Sequence, residues 1–165
     1  VENIGRQLAA WNPQNAEQYI ENASSYALDL RALANELNRV TQRLATPRIV
    51  TQHDVFDYLA RDTALDIVAL VTTHPGQEPS AAEMTHLAHE IEAKDAGAIF
   101  TEPQYSDAVG RTLAAETGIP AATLDPVATG PQDPPLDYYQ KTMRKNMETL
   151  KKTLGVKASA PADQP

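Results

Sequence analysis

The sequence predicts an α/β fold: a small four-stranded parallel sheet sandwiched by helices and preceded by one long helix. Three observations carry that prediction. From Pro47 onward, short β-rich runs alternate with helical patterns, which implies right-handed crossovers and parallel pairing. Before Pro47 runs a single apolar seam too long for a helix confined to a small lobe. Capping residues and glycines stand where one pattern gives way to the next.

Val1, Ile4, Leu8 and Trp11 recur at helical spacing and predict a short amphipathic helix over 1–11. Asn12-Pro13 ends it and opens a long helical segment over 12–46. Its apolar positions are Tyr19, Ala23, Tyr26, Leu30, Leu33, Leu37, Val40 and Leu44, spaced alternately by four and three. Some thirty residues at about 1.5 Å each give a rod of about 45 Å, against about 30 Å for a small domain. Either a coiled-coil or bundle helix, or a helix spanning more than one domain, fits that length.

The remaining segment, 47–155, reads as one α/β lobe. Strands are expected at 48–52, 65–71, 98–101 and 121–124, and helices at 53–61, 80–94, 106–117 and 137–154. Ser80 with Glu83 three residues on makes a capping box. Gly97, Gly118 and Gly155 fall where helices should end. Tyr139, Met143, Met147, Leu150 and Leu154 form the expected buried stripe of the last helix. The small, polar, proline-containing end at 156–165 is expected to be a disordered tail.

Composition narrows the function. The 165 residues, 42% hydrophobic and 22% charged, suit a globular chain with one substantial core. A net charge of -8 argues against nucleic acid or an anionic membrane surface as partner. The absence of cysteine excludes disulfides, thiolate metal sites and cysteine nucleophiles, and is compatible with an oxidising compartment. No apolar run reaches the roughly 20 residues of a membrane span, and no signal-peptide pattern is present. The chain opens on Val1 inside a helical pattern, which reads as a processed product or an expressed fragment.

In a parallel sheet all strands end on the same edge, where α/β folds place their ligands. Four segments share that edge: Gln52-His53-Asp54, Thr73-His74-Pro75-Gly76, Glu102-Pro103-Gln104-Tyr105 and Asp125-Pro126-Val127. Imidazole with carboxylate suits zinc, and carboxylate-rich sets shift toward manganese. A helix N-terminus also disfavours imidazolium, which helps keep His53 neutral and able to bind metal. Residue spacing alone is better served by His53 merely starting a helix and Asp125 opening a proline turn. His86 and His89 lie three apart beside Glu90 and could grip a metal, but Met84, Leu87 and Ile91 occupy the inner face and leave them to solvent. Asp62 and Asp66 read as solvent-facing. The sequence contains no G-x-S-x-G elbow, phosphate-binding glycine loop or H-E-x-x-H.

Several motifs in fixed order resemble the metal-binding solute-binding proteins of ABC importers for zinc and manganese (cluster A-I). Asn12-Pro13-Gln14-Asn15 through Tyr19, Asn22, Tyr26 and Leu30 is similar to the segment leading into that family's backbone helix. His53-Asp54-Val55-Phe56 with Tyr58 resembles its H-D-x-F-x-Y signature. Glu78-Pro79-Ser80, Ile99-Phe100-Thr101-Glu102-Pro103-Gln104 and Leu124-Asp125-Pro126 resemble its later loop and strand ends. Tyr139, Met143, Arg144 and Asn146 resemble its closing Y-x-x-x-M-R-x-N helix. Arg61-Asp62-Thr63-Ala64, where the family commonly has a glycine, and Thr73-His74-Pro75-Gly76 depart from the pattern.

The resemblance covers the second half of the family's length. It implies two lobes joined by a rigid helix, with one metal between them and no catalytic turnover. His53 falls on the third ligand position and Asp125 on the fourth, while the first two, both histidines, belong to an N-terminal lobe absent from this chain. Manganese members usually carry Glu at the position of His53, so the resemblance implies zinc as cargo and manganese as the alternative. It further implies an extracytoplasmic or periplasmic location, possible lipoprotein anchoring, and an ABC permease as partner. With the other lobe absent, weak metal binding is expected. Leu30, Leu33 and Leu37 or their neighbours are expected to be exposed and to favour self-association. A metal-dependent hydrolase or lyase, with Glu102 as general base, is the alternative from another class.

Overall fold

The structure, a computed structural model, describes residues 1–72 and 79–157. Two compact units divide the chain, Val1–Leu37 and Asn38–Pro165.

In the first unit, helix α1 (Glu2–Trp11) is followed by a single 3-10 turn, Pro13–Asn15, and by most of α2 (Ala16–Gln42). Asn12 leaves helical geometry at φ -131°, and Pro13 starts the next turn, where its missing N–H costs nothing. Gly5 is the buried residue of α1, because a Cβ there would stand 2.5 Å from the Ala23 Cβ and 3.1 Å from the Tyr19 carbonyl oxygen. That close approach turns Gly5 inward and leaves the apolar spacing of α1 on its exposed side. Val1, Ile4, Leu8 and Trp11 are all exposed, Trp11 to 79%. The seam of α2 behaves differently. Leu33 and Leu37 are buried and Leu30 is half-buried, so the expected exposure of these leucines is not found. Ile20 and Leu28, off the seam, are the exposed large apolar residues of this helix.

The second unit holds one parallel sheet in the order β2-β1-β3-β4, from β1 (Arg48–Thr51), β2 (Asp66–Leu70), β3 (Ala98–Thr101) and β4 (Ala121–Thr123). A 3-10 turn, Asp54–Phe56, leads into α3 (Asp57–Arg61), and α4 (Ala81–Ala93), α5 (Ala108–Thr117) and α6 (Tyr138–Leu154) follow. α4 packs on β2, α5 on β3 and β4, and α6 on β4. Val50, Ile99, Leu113 and Ile91 lie in one continuous core cluster. Alternation along the strands sends Ile49 and Phe100, both fully buried, to the opposite face. The capping box at the start of α4 is formed, with Ser80 and Glu83 bonded reciprocally.

Three local expectations change. Gly118 (φ +73°) and Gly155 (φ +68°) do terminate helices, but after α4 the left-handed residue is Asp95 (φ +52°). Gly97 instead admits Thr46, whose Oγ1 would lie 2.5 Å from an added Cβ. In α6, Met147, Leu150 and Leu154 are buried and Met143 is half-buried, whereas Tyr139 is exposed and Gln140 is buried in its place. The tail does not begin at 156. Val156 bridges Leu44, and the Lys157 N–H donates to the Arg43 carbonyl at 2.8 Å, so backbone pairing holds both residues. Residues 158–165 lie outside the described ones.

Candidate metal centre

The strand order places the site. From β1 the chain crosses to β2 on one side, and from β3 to β4 on the other, so the connections diverge between β1 and β3. A crevice opens at such a divergence, outside the C-terminal strand ends. His53 lies two residues beyond β1 and Glu102 one beyond β3.

His53 is only 5% exposed, and its backbone is still extended at φ -134°, ψ 178°. The Thr51 hydroxyl donates to the His53 carbonyl at 2.8 Å. The imidazole Nδ1 lies 2.7 Å from Glu102 Oε1, and Glu102 is itself buried. On another side, the Tyr105 ring stands 4.6 Å from the imidazole, centroid to centroid, tilted by 56°. His53 Nε2 is buried and has no hydrogen-bond partner among the described residues.

Gln52 joins the two strand ends behind this pair. Its N–H donates to the Phe100 carbonyl at 2.9 Å, continuing the β1–β3 ladder past Thr51. Its Oε1 accepts from the Glu102 N–H at 2.9 Å, and its Nε2 donates to the Ser106 carbonyl at 3.4 Å. One buried side chain therefore fixes both ends of the loop that carries Glu102 and Tyr105.

Asp125 is held in another manner. The Leu124 N–H donates to the Thr101 carbonyl at 3.0 Å and carries the β3–β4 pairing one residue further. Asn146 of α6 then grips the Asp125 backbone twice, accepting its N–H at 3.0 Å and donating to its carbonyl at 2.8 Å. Asp125 Oδ1 accepts from the Val127 N–H at 2.8 Å, and Val127 adopts φ +60°. A β-branched residue rarely takes that conformation.

His53, Glu102 and Asp125 thus follow the neighbouring strands β1, β3 and β4 in that order. With strands about 4.8 Å apart, the backbones of β1 and β4 are separated by roughly 10 Å, with the end of β3 between them. The structure joins His53 directly to Glu102 and sets Asp125 on the far side of Glu102 in strand order. Among the described residues no group of three or more His, Asp or Glu side chains is arranged to hold a metal. His74 lies outside the described residues. His86 and His89 are exposed on α4, opposite buried Leu87 and Ile91, as the sequence pattern required. Asp62 and Asp66 are also exposed, and the guanidinium of Arg61, hydrogen-bonded to Asp62, holds the Asp62 carboxyl below its usual range. Sequence reasoning cast Glu102 as a candidate base and missed its bond to His53. It also missed Gln52 and Tyr105 as supports. The available signal was a polar pair, Gln52 and Glu102, directly following the buried runs Ile49–Thr51 and Ala98–Thr101.

The description of one protein-family model, ZnuA, zinc-uptake complex component A periplasmic, matches residues 1–153. The chain belongs to this family. It is 34% identical over 162 residues to the high-affinity zinc uptake system protein ZnuA of Bacillus subtilis, covering 96% of this chain and 50% of that protein. It is 33% identical over 158 residues to the zinc-binding protein AdcA of Streptococcus pyogenes serotype M1, covering 94% of this chain and 31% of that protein. The chain therefore spans a third to a half of the length of these curated relatives. Among solved structures it superposes on the laminin-binding adhesin Lmb of Streptococcus agalactiae with TM-score 0.81 and 25% identity, over 93% of this chain and 57% of that one. The solute-binding protein FpvC of Pseudomonas aeruginosa, in complex with Mn2+, gives TM-score 0.77 and 29% identity, over 92% of this chain and 57% of that one. These likenesses agree with the four-stranded parallel sheet and long helix found here, and they place the chain among metal-binding solute-binding proteins of the cluster A-I type.

Proposed function

We propose that this chain is the C-terminal lobe of an extracytoplasmic receptor that captures zinc for an ABC importer, with His53 and Asp125 as its metal ligands. The observation that carries this reading is His53: a buried imidazole at the sheet's divergence point, Nδ1 on a carboxylate and Nε2 unpaired. A buried polar atom without a partner is expensive in an ordinary core and is expected where a ligand completes it. Neutral imidazole with one carboxylate is a zinc donor set, which favours zinc over manganese as cargo.

Zinc held by protein wants four ligands, or three with water. Two of them on this lobe leave the rest to a companion lobe of the same protein, consistent with the longer relatives. The exposed apolar side chains of α1, from Val1 to Trp11, are a surface that such a lobe would cover. The receptor would work outside the cytoplasm, free in the periplasm or anchored as a lipoprotein, and would deliver its metal to a membrane permease. Manganese is the alternative cargo for the same ligands.

Calorimetric titration with zinc tests the proposal in two settings. The 165-residue chain should bind weakly, and a chain extended by the companion lobe should bind far more tightly. Both His53→Ala and Asp125→Ala should abolish the tight binding. Tight binding that survives both substitutions would overturn the assignment.

A further inference from the structure

We infer that Glu102 is a positioning residue that fixes His53 in the Nδ1–H tautomer, so that Nε2 is the atom offered to the metal before any metal arrives. The inference rests on the reading of His53 as a ligand but concerns the metal-free protein. Imidazole has two nitrogens, and in the neutral ring one donates while the other accepts. An ionised carboxylate only accepts. With the Glu102 carboxylate ionised, the 2.7 Å contact to its Oε1 assigns the proton to Nδ1 and leaves the lone pair to Nε2.

The surroundings reinforce that choice. The opposite tautomer would place an N–H at Nε2, buried and without a partner among the described residues. It would also set the Nδ1 lone pair against a carboxylate oxygen. Orphaned buried N–H groups are rarer than orphaned acceptors, and each lost bond to a charged group counts more than a neutral one. Nor can Glu102 swing away freely, since its own N–H is held by Gln52 Oε1 at 2.9 Å and its side chain is buried. Tyr105, whose ring stands 4.6 Å from the imidazole, limits rotation of the ring from the other side. Glu102 thus serves the receptor by holding a donor atom in place, and a base role is not needed to explain its burial.

Nitrogen-15 NMR of the imidazole, recorded on the metal-free protein at about pH 8, above the ordinary histidine range, reads the tautomer directly. The expected spectrum shows Nδ1 protonated and Nε2 unprotonated. Protonation at Nε2, or at both nitrogens, would overturn the inference without any variant. In Glu102→Leu, which keeps the bulk and removes the acceptor, a population protonated at Nε2 should emerge. Should that variant not fold, Glu102→Gln keeps the shape, and its amide can donate to Nδ1 as well as accept from it, so the tautomer should again become mixed. An unchanged, pure Nδ1–H tautomer in a folded Glu102→Leu would overturn the inference. In the two-lobed protein, Glu102→Leu should weaken zinc binding by about 10- to 100-fold, the range for partners of metal-bound histidines. The cargo reading is separable: zinc that leaves the Nε2 resonance unmoved would refute it, while the tautomer is decided in metal-free solution.

Discussion

His53 and Asp125 stand at opposite sides of the same sheet edge and are held by different means. His53 is fixed by side chains: Glu102 on Nδ1, Tyr105 against the ring, and Gln52 behind both. Asp125 is fixed through its backbone, by the paired amide bonds of Asn146, and its carboxylate is tied to the N–H of Val127 in a left-handed turn. In the proposed reading, the first arrangement sets which atom is offered to the metal, and the second sets where the residue stands. A histidine needs the former because its two nitrogens are inequivalent once one is bonded. Either oxygen of an ionised carboxylate can accept, so position is what its neighbours must supply.

The strongest way to break this comparison is to remove each proposed ligand and read stability as well as binding. Both His53→Ala and Asp125→Ala should cost more zinc affinity than the roughly 10- to 100-fold of an outer-shell partner. In metal-free protein the two should differ. His53→Ala leaves a buried Glu102 carboxylate unpaired, a loss of about 1–3 kcal/mol or more. Asp125→Ala gives up the bond from the Val127 N–H on a half-buried residue, and loss of that bond should cost about 0.5–1.5 kcal/mol. Urea unfolding of the two variants side by side decides the matter, and equal losses would mean that His53 is not specially supported.

Asn146 tests the other side. Asn146→Ala removes both bonds to the Asp125 backbone from a residue that is 6% exposed. Two net hydrogen bonds at about 1 kcal/mol each give a loss of about 2 kcal/mol, or roughly 4–8 °C in Tm for a chain of this size. Zinc affinity in the two-lobed protein should fall with it while the His53 tautomer stays as it was. A tautomer that changed in Asn146→Ala would show the two supports to be coupled.

Much of this was legible in the sequence, for identifiable reasons. Alternating β runs and helices gave all four strands within a residue or two, because buried parallel strands such as Ile49–Thr51 and Ala98–Thr101 have few ways to satisfy their pattern. His53 and Asp125 could be placed at strand ends for the same reason. The direction of the α1 face was not legible. The spacing of its apolar residues predicts an amphipathic helix without saying which face is buried, and burial is decided by the close approach at Gly5, a tertiary fact. The supports of the candidate site were hidden in another way. Gln52 and Glu102 are 50 residues apart, and their contact exists only because β1 and β3 are neighbours although β2 lies between them in sequence. Strand order, more than residue type, was the missing information.

The smallest expected effect concerns Val127. Its φ of +60° should cost about 1–2 kcal/mol for a residue with a Cβ, and branching adds to that. Glycine relieves the cost but spends about 0.5–1 kcal/mol more on ordering the chain. Val127→Gly should therefore raise stability slightly, by about 0.5–1 kcal/mol, with the N–H to Asp125 Oδ1 retained. Its freer backbone should shift part of the ordering cost onto metal binding and weaken zinc affinity about two- to fivefold in the two-lobed protein. Opposite signs for stability and affinity would mark the turn as strain kept for the sake of Asp125, in line with the clustering of such residues at ligand sites. If both fell together, or neither moved, the left-handed turn would be only a way of leaving β4, and Asn146 alone would account for the position of Asp125.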